Sequence, residues 1–490
     1  MNYSMVRYTM GYILLFECTF LLVPLITSLI FTEFGTVTAT LITMAICGVL
    51  GFLLRMKKPE NTTVYTKDGF AIVALSWIVL SAFGALPFVL SGAIPNYIDA
   101  LFEIVSGFTT TGSSILTDVE ALPKGLLMWR AFSNWVGGMG VLVFVMAIMP
   151  LGGGQSMHIM RAESPGPEVS KLVPRMNTTA RILYSIYIAL TAVTFVFYAV
   201  DMPLFDAICS AFSTAGTGGF GTKADSMLSY SPYIQVVATV FMLLFSINFN
   251  SYFLVLRLKF REAFNSEVKV FLGIVFVAIA TITINIYLTP GLTECDTFGD
   301  ALRHAAFTVA SIVSTSGFAT VDFDLWPILS QTVLVLLMLV GACAGSTAGG
   351  FKVSRVIILF KGAIREIGSI IHPKQVKKIT IDDKPVSSDV VRSVNAYLVL
   401  YVFVFVISFI VLTFDPYIPL ENMDEMTTNF TAVAAAINNV GPGLDMVGPT
   451  QSFAFFSPIS KLVLTFDMLA GRLELLPMLL LFTPTSWKKR

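Results

Sequence analysis

Thr109-Thr110-Thr111-Gly112-Ser113-Ser114 is a hydroxyl-rich turn set between a short apolar segment, Ala100 to Phe108, and a longer one, Met128 to Pro150. It recurs in altered form as Ser213-Thr-Ala-Gly-Thr-Gly-Gly219-Phe220, Ser314-Thr315-Ser316-Gly317-Phe318 and Asn438-Asn439-Val440-Gly441-Pro442-Gly443. Gly112, Gly219, Gly317 and Gly441 lie 107, 98 and 124 residues apart, and the last gap holds a Lys-rich loop near 361–390. Around each turn the order is the same: an apolar span, a half-length apolar segment, the turn, a second span.

Composition sets the class. Of 490 residues, 55% are hydrophobic and 13% charged, against about 25% charged in soluble domains. Apolar runs of about 20 residues recur from end to end, which predicts a polytopic helical membrane protein. Net charge is zero, so nothing points to nucleic acid or to a strongly charged partner. Cys18, Cys47, Cys209, Cys295 and Cys343 are scattered, and His158, His304 and His372 show no metal-ligand spacing. The first apolar run, Gly11 to Phe31, is too long for a typical signal-peptide core and reads as a retained span. Its Glu17 reads as a neutral or helix-facing group rather than a functional one.

The predicted fold is all-α: a two-span preface (near 11–31 and 37–54) and four repeats of helix, pore helix, polar turn and helix around one central pore. The predicted units are 1–68 (preface), 69–179, 180–266, 267–390 (with the interrupted span and the cytoplasmic linker) and 391–490. That amounts to about ten full crossings and four re-entrant hairpins. The inner spans are expected near 128–150, 231–256, from 327, and 458–483. The half-segments open at Asp99, Asp206, Asp300 and Asp424, which suit helix N-caps and the positive end of the helix dipole. Each Asp precedes its turn glycine by 13 residues in the first two units and by 17 in the last two, a difference of about one helical turn.

Charge fixes the orientation. Lys124, Arg130, Lys223, Arg303 and Lys461 fall on one side and Arg472 within a span; the other 25 of the 31 Lys and Arg fall at the termini and in the loops near 55–68, 151–181, 257–269 and 352–392. The positive-inside rule makes that side cytoplasmic, with both termini there. All four turns then open outward.

A cation entering a membrane needs its water replaced by oxygen dipoles, and rings of backbone carbonyls supply them. Half-helices whose C-terminal ends aim at one point add negative potential. The predicted ring is Gly112, Gly219, Gly317 and Gly441, with the carbonyls of Thr111, Gly218, Ser316 and Val440 and the side chains of Thr110, Thr111, Thr217, Thr315 and Asn439 adding oxygens or holding the turns. Such turns also serve as substrate loops or plain linkers; four in equivalent places favour the ring.

At these residues the chain resembles the Trk/Ktr/HKT superfamily of K+ transporters, and most closely its TrkH branch. The likeness extends to Trp135-Val-Gly137-Gly138-Met139-Gly140, Arg161-Ala-Glu-Ser-Pro-Gly-Pro167, Lys171-Leu-Val-Pro-Arg175, Gly345-Ser346-Thr347-Ala348-Gly349-Gly350 and Gly471-Arg472-Leu473-Glu474-Leu475. It covers essentially the whole chain and implies a K+ uptake protein of the cell membrane. It further implies a homodimer and a separate cytosolic TrkA-like nucleotide-binding ring as regulator. K+ enters as the transported ion; no organic cofactor and no enzymatic activity are expected. Gly218-Gly219 and Asn438-Asn439 make the ring asymmetric. The alternative is a cation symporter or carrier, K+ with H+ or Na+. A carrier built on two inverted halves would show two-fold repetition instead.

The span from 327 is interrupted by Gly341-Ala-Cys343-Ala-Gly345-Ser-Thr-Ala-Gly349-Gly350, too many small residues for a straight helix. It reads either as a close-packing kink or as a movable loop below the ring; the resemblance implies a gate, with Gly345, Ser346, Thr347, Gly349, Gly350 and Arg472 as its residues. Arg472 reads either as a charge near the pore or as half of a buried ion pair. Asp467 and Glu474 are at offsets that do not share its helix face.

Overall fold

A backbone group left bare in lipid costs several kcal/mol, so each apolar run closes its hydrogen bonds within a helix. The structure, a computed structural model, describes all residues except 62–64, 141–175, 292–296, 373–377, 417–423 and 488–490. It opens with α1 (Tyr3–Ile30) and α2 (Phe34–Arg55). The next helices are α3 (Thr66–Leu90), α4 (Tyr97–Phe108) and α5 (Lys124–Gly138). After them come α6 (Met176–Tyr198), α7 (Leu204–Gly216), α8 (Pro232–Phe245) and α9 (Phe249–Leu256). A third group holds α10 (Ser266–Tyr287), α11 (Phe298–Val313), α12 (Ile328–Val340) and α13 (Val353–Ile371). The last holds α14 (Ser388–Leu412), α15 (Glu425–Asn438), α16 (Pro458–Arg472) and α17 (Leu476–Leu481). A small ribbon, Thr380–Ile381 paired with Lys384–Pro385, departs from the helical pattern. Its turn residues Asp382 and Asp383 both have positive φ, as a tight two-residue hairpin requires.

Among the described residues six helices are long and apolar enough to cross a membrane: α1, α2, α3, α6 from Thr178, α10 and α14. The spans expected after each turn are shorter or broken. The one near 128–150 is described as a helix only to Gly138, and the rest of that segment lies mainly outside the described residues. The one near 231–256 bends by 90° between α8 and α9. Two bonds explain that break: the Asn248 side chain accepts from Asn250 N and starts a new helix, and Phe249 N donates to Gly345 O at 3.0 Å. The span from 327 stops at Val340, as the glycine-rich run predicts. The final span divides at Arg472, where Glu474 and Leu475 adopt positive φ. Pro477 cannot continue a helix through that point.

The acidic residues at the short-helix starts need correction. Only Asp424 is an N-cap; Asn96, Pro203 and Thr297 hold that place in the others, and Asp99, Asp206 and Asp300 lie in the first turn. There they still complement the positive helix end. The longer spacing in the third unit is a real extra turn, since α11 has 16 residues against 12 in α4 and 13 in α7. In the fourth it arises because Asp424 is the cap itself, and α15 has 14 residues.

Beside a buried apolar core, large apolar residues are exposed and many hydroxyl and amide side chains are buried. Ile30, Phe276, Leu288 and Ile407 face outward, whereas Thr109, Thr110, Thr111, Thr217, Thr315, Ser316, Asn438 and Asn439 are fully buried. Cys18, Cys47, Cys209 and Cys343 are free; Cys295 lies outside the described residues. Glu17 is buried, and its two carboxyl oxygens have no hydrogen-bond partner among the described residues.

Candidate functional site

The four turns share one backbone design. Thr110, Thr217, Thr315 and Asn439 each adopt a left-handed conformation, with φ of 57°, 55°, 59° and 55°. Two residues on, Gly112, Gly219, Gly317 and Gly441 again have positive φ. The residue between them sends its N–H back into the short helix. Thr111 N binds Ser106 O at 2.8 Å, Gly218 N binds Ser213 O at 2.9 Å, Ser316 N binds Ser311 O at 2.8 Å and Val440 N binds Ala435 O at 2.9 Å. This six-to-one bond, with a left-handed residue before it, is the Schellman way of closing a helix. Four non-glycine residues in that region cost about 1 kcal/mol or more each. Strain repeated in four equivalent places is a mark of a functional site.

The turns close on one another in a fixed order. A Cβ placed on Gly112 would run into Gly218 O, and one on Gly219 would run into Ser316 O. One on Gly317 would lie 2.5 Å from Val440 O, and one on Gly441 would lie 2.8 Å from Thr111 O. First touches second, second third, third fourth, and fourth first. Each glycine therefore abuts the carbonyl of the residue preceding the next glycine. Thr111, Gly218, Ser316 and Val440 are the four carbonyls singled out in the sequence.

Side chains brace this cycle. Asn439 Nδ2 donates to Thr111 Oγ1 at 3.0 Å and to Met468 O at 2.9 Å. Ser113 Oγ donates to Gly441 O at 2.9 Å, so that carbonyl is partly engaged. Ser213 and Ser311 donate to Phe220 O and Phe318 O, one residue after their glycines. Thr315 Oγ1 accepts from Gly349 N at 2.7 Å, and Thr217 donates to its neighbour Gly216 O. Thr110 Oγ1 is buried with no hydrogen-bond partner among the described residues. At the starts of α11 and α15, the hydroxyls of Thr297 and Thr427 hold Asp300 and Asp424 below the usual carboxylate range.

The glycine-rich loop packs against the third and fourth turns of this cycle. A Cβ on Gly349 would run into Asn438 O, and one on Gly345 would lie 3.0 Å from Asn248 Oδ1. The loop is tied at several points. Cys343 N donates to Ser246 O, Thr347 Oγ1 to Phe245 O, and Ala344 N to Glu267 Oε1 at 2.7 Å. Ser346 Oγ donates to Cys343 O, and Lys352 Nζ to Ala348 O. Gly350, with φ of 80°, lets the chain double back so that Lys352 N reaches Val340 O.

Arg472 meets the same loop. Its Nη1 donates to Thr347 O at 2.8 Å, and its Nη2 donates to Gly137 O at 2.5 Å and Gly138 O at 2.6 Å. Those last two carbonyls end α5, where the helix dipole favours a cation. Asp467 accepts from Ser408 Oγ and Glu474 from Arg355. Of the loop residues expected to form a gate, Thr347 is the one this guanidinium bonds, and it ties the loop to the end of α5.

Sequence reading missed two features. Arg130, assigned to the outer-side charges, is buried against Glu103 at 2.7 Å. Lys461 and Asp99 pair at 2.7 Å across the first and fourth units. A charge inside an otherwise apolar run was the available signal; the partners lie 27 and 362 residues away. The loop segments 161–167 and 171–175 fall outside the described residues.

Comparison with known proteins agrees with this architecture. The family model described as TrkH, cation transport protein, matches residues 36–489. The chain is 36% identical over 461 residues to the Trk system potassium uptake protein TrkH of Salmonella typhimurium, covering 91% of each. It is 33% identical over 491 residues to the protein of the same name from Escherichia coli (strain K12), covering 97% of each. The crystal structure of the potassium transporter TrkH from Vibrio parahaemolyticus matches with a TM-score of 0.87 at 31% identity, over 100% of both chains. The chain belongs to the TrkH family of cation transport proteins: it is a multi-pass membrane transporter and not an enzyme.

Proposed function

We infer that this protein takes up K+ across the cell membrane through a gated pore lined by backbone carbonyls. The observation that carries the reading is the closed cycle in which each turn glycine abuts the carbonyl before the next. Carbonyls brought around one axis can replace the hydration shell of a cation. The ion-coordinating set is Thr110, Thr111, Gly112, Thr217, Gly218, Gly219, Thr315, Ser316, Gly317, Asn439, Val440 and Gly441. Four short helices ending at these turns add their negative ends to the site. The chain divides into a preface, 1–68, and four pore units, 69–179, 180–266, 267–390 and 391–490.

The gate is the loop 341–350 held by Arg472. Its support is the loop's place against Asn438 and Thr315, in the fourth and third turns of the cycle. Both termini are cytoplasmic, as the positive-inside bias indicates. A cytosolic TrkA-like regulatory ring belongs to the same reading; the relatives' name, as parts of a Trk system, supports partner subunits in general. A homodimer belongs to the same reading; the outward apolar stripe of α13, with Phe360, Ile364, Ile367 and Ile371, is a face that a second copy or lipid would cover.

The test is Rb+ uptake into K+-loaded liposomes holding the purified protein, with K+, Na+ and Cs+ as competitors. External K+ suppresses uptake and Na+ does so weakly. Equal competition by Na+, or no flux even after residues 341–350 are shortened, contradicts the reading.

A further inference from the structure

The joint between the first and second turns is built differently from the other three. Glu103, on α4, is fully buried, and its carboxylate accepts from three donors: Arg130 Nε at 2.7 Å, Ile115 N at 3.0 Å, and Ser114 Oγ, whose single hydroxyl proton is shared between the two oxygens at 3.0 Å each. Arg130, on α5, also donates from Nη2 to Ser114 Oγ and from Nη1 to Gly221 O, each at 3.4 Å. Its guanidinium lies 4.0 Å from the centre of the Phe220 ring. Ser114 is two residues beyond Gly112, and Phe220 and Gly221 are one and two beyond Gly219. One ion pair therefore grips equivalent points of two neighbouring turns.

The other joints use neutral donors or reach further out. Ala319 N donates to Ser226 Oγ and Met227 N to Ala319 O between the second and third. Asp445 N donates to Asp324 Oδ2 between the third and fourth. Ser113 Oγ donates to Gly441 O, and Phe453 N to Ser114 O, between the fourth and first. At the position of Glu103, nine residues before the turn glycine, the other units carry Ser210, Thr308 and Ala432. A buried ion pair is weak evidence of stability in itself, because desolvation offsets its attraction.

We propose that the Arg130–Glu103 pair determines ion selectivity as a positioning element, by fixing the spacing of the first and second turns through Ser114, Phe220 and Gly221. The claim rests on the selective-pore reading above. On the size-fit account of selectivity, a carbonyl ring discriminates between cations because its oxygens cannot close onto the smaller one. The guanidinium fork holds the two turns apart and in register, and a lysine, with a single point charge, reaches fewer of the same partners.

The experiment compares wild type, Arg130→Lys and the double variant Glu103→Gln/Arg130→Met in the liposome assay, with radiolabelled Rb+ and Na+ read separately. The double variant removes both charges together and so leaves no buried charge unpaired. Its preference for Rb+ over Na+ is expected to fall by about tenfold, with Arg130→Lys between it and wild type. A folded double variant with wild-type preference overturns the proposal even if it melts earlier, since a purely structural pair changes stability alone. Should the double variant not fold, unchanged preference in Arg130→Lys overturns the proposal, and a reduced one supports it. If wild type itself does not discriminate, the pore reading has failed, and this proposal with it.

Discussion

Asn439 Nδ2 lies 3.0 Å from Thr111 Oγ1, joining the last turn of the chain to the first. The same amide nitrogen reaches Met468 O, so one side chain ties together both turns and α16. Asn439 also sits at φ 55°, a conformation asparagine adopts more readily than alanine. Asn439→Ala loses both bonds and strains the backbone, a destabilisation of about 2–4 kcal/mol. Thermal unfolding of the purified protein should show a clear drop in Tm, and an unchanged melting curve would mean that the fourth turn is held by something else.

Gly441→Ser and Gly219→Ser test the close approach itself. A side chain at 441 meets Thr111 O, and one at 219 meets Ser316 O. Both glycines also have positive φ, where a side chain is strained. The turns must move apart, and Na+ should then compete better against Rb+ uptake. Folded variants with wild-type competition profiles would count against these glycines as the narrow point.

Arg472→Ala frees Thr347 O, Gly137 O and Gly138 O together. Basal Rb+ flux through the protein alone should rise. Arg472→Lys should fall between, because one ammonium cannot serve all three carbonyls with the geometry of the fork. Flux equal to wild type in Arg472→Ala would leave the arginine a packing role only.

Glu267 also holds the loop. Its Oε1 accepts from Ala344 N at 2.7 Å and from Ser354 N at 3.2 Å, at the middle and just beyond the end of the glycine-rich stretch. Glu267→Ala leaves both donors unpaired, at about 1–3 kcal/mol each where they stay buried. Higher basal flux and a lower Tm are expected together. A lower Tm with unchanged flux would separate the loop's stability from gating.

The sequence made some of this visible and hid the rest for physical reasons. The four glycines, the half-length helices and the interruption after Val340 are local, and each is written in neighbouring residues. The break between α8 and α9 is only partly local: beside the Asn248 cap it depends on a bond from Phe249 to Gly345, almost a hundred positions away. Arg130 and Lys461 were counted as outer charges because their partners are on other helices. The cyclic order of the turns depends on which carbonyl faces which glycine, and only three-dimensional packing decides that. The aspartates misled as caps because an acidic residue suits either the cap or the first turn.

The central claim is that the four turns form one site that takes a dehydrated cation. Crystals grown with Rb+ in place of K+ test it most directly, through anomalous scattering. The account predicts a peak on the axis of the cycle, bounded by the carbonyls of Thr111, Gly218, Ser316 and Val440. A transport-competent protein with Rb+ bound elsewhere and none in that cycle would contradict it.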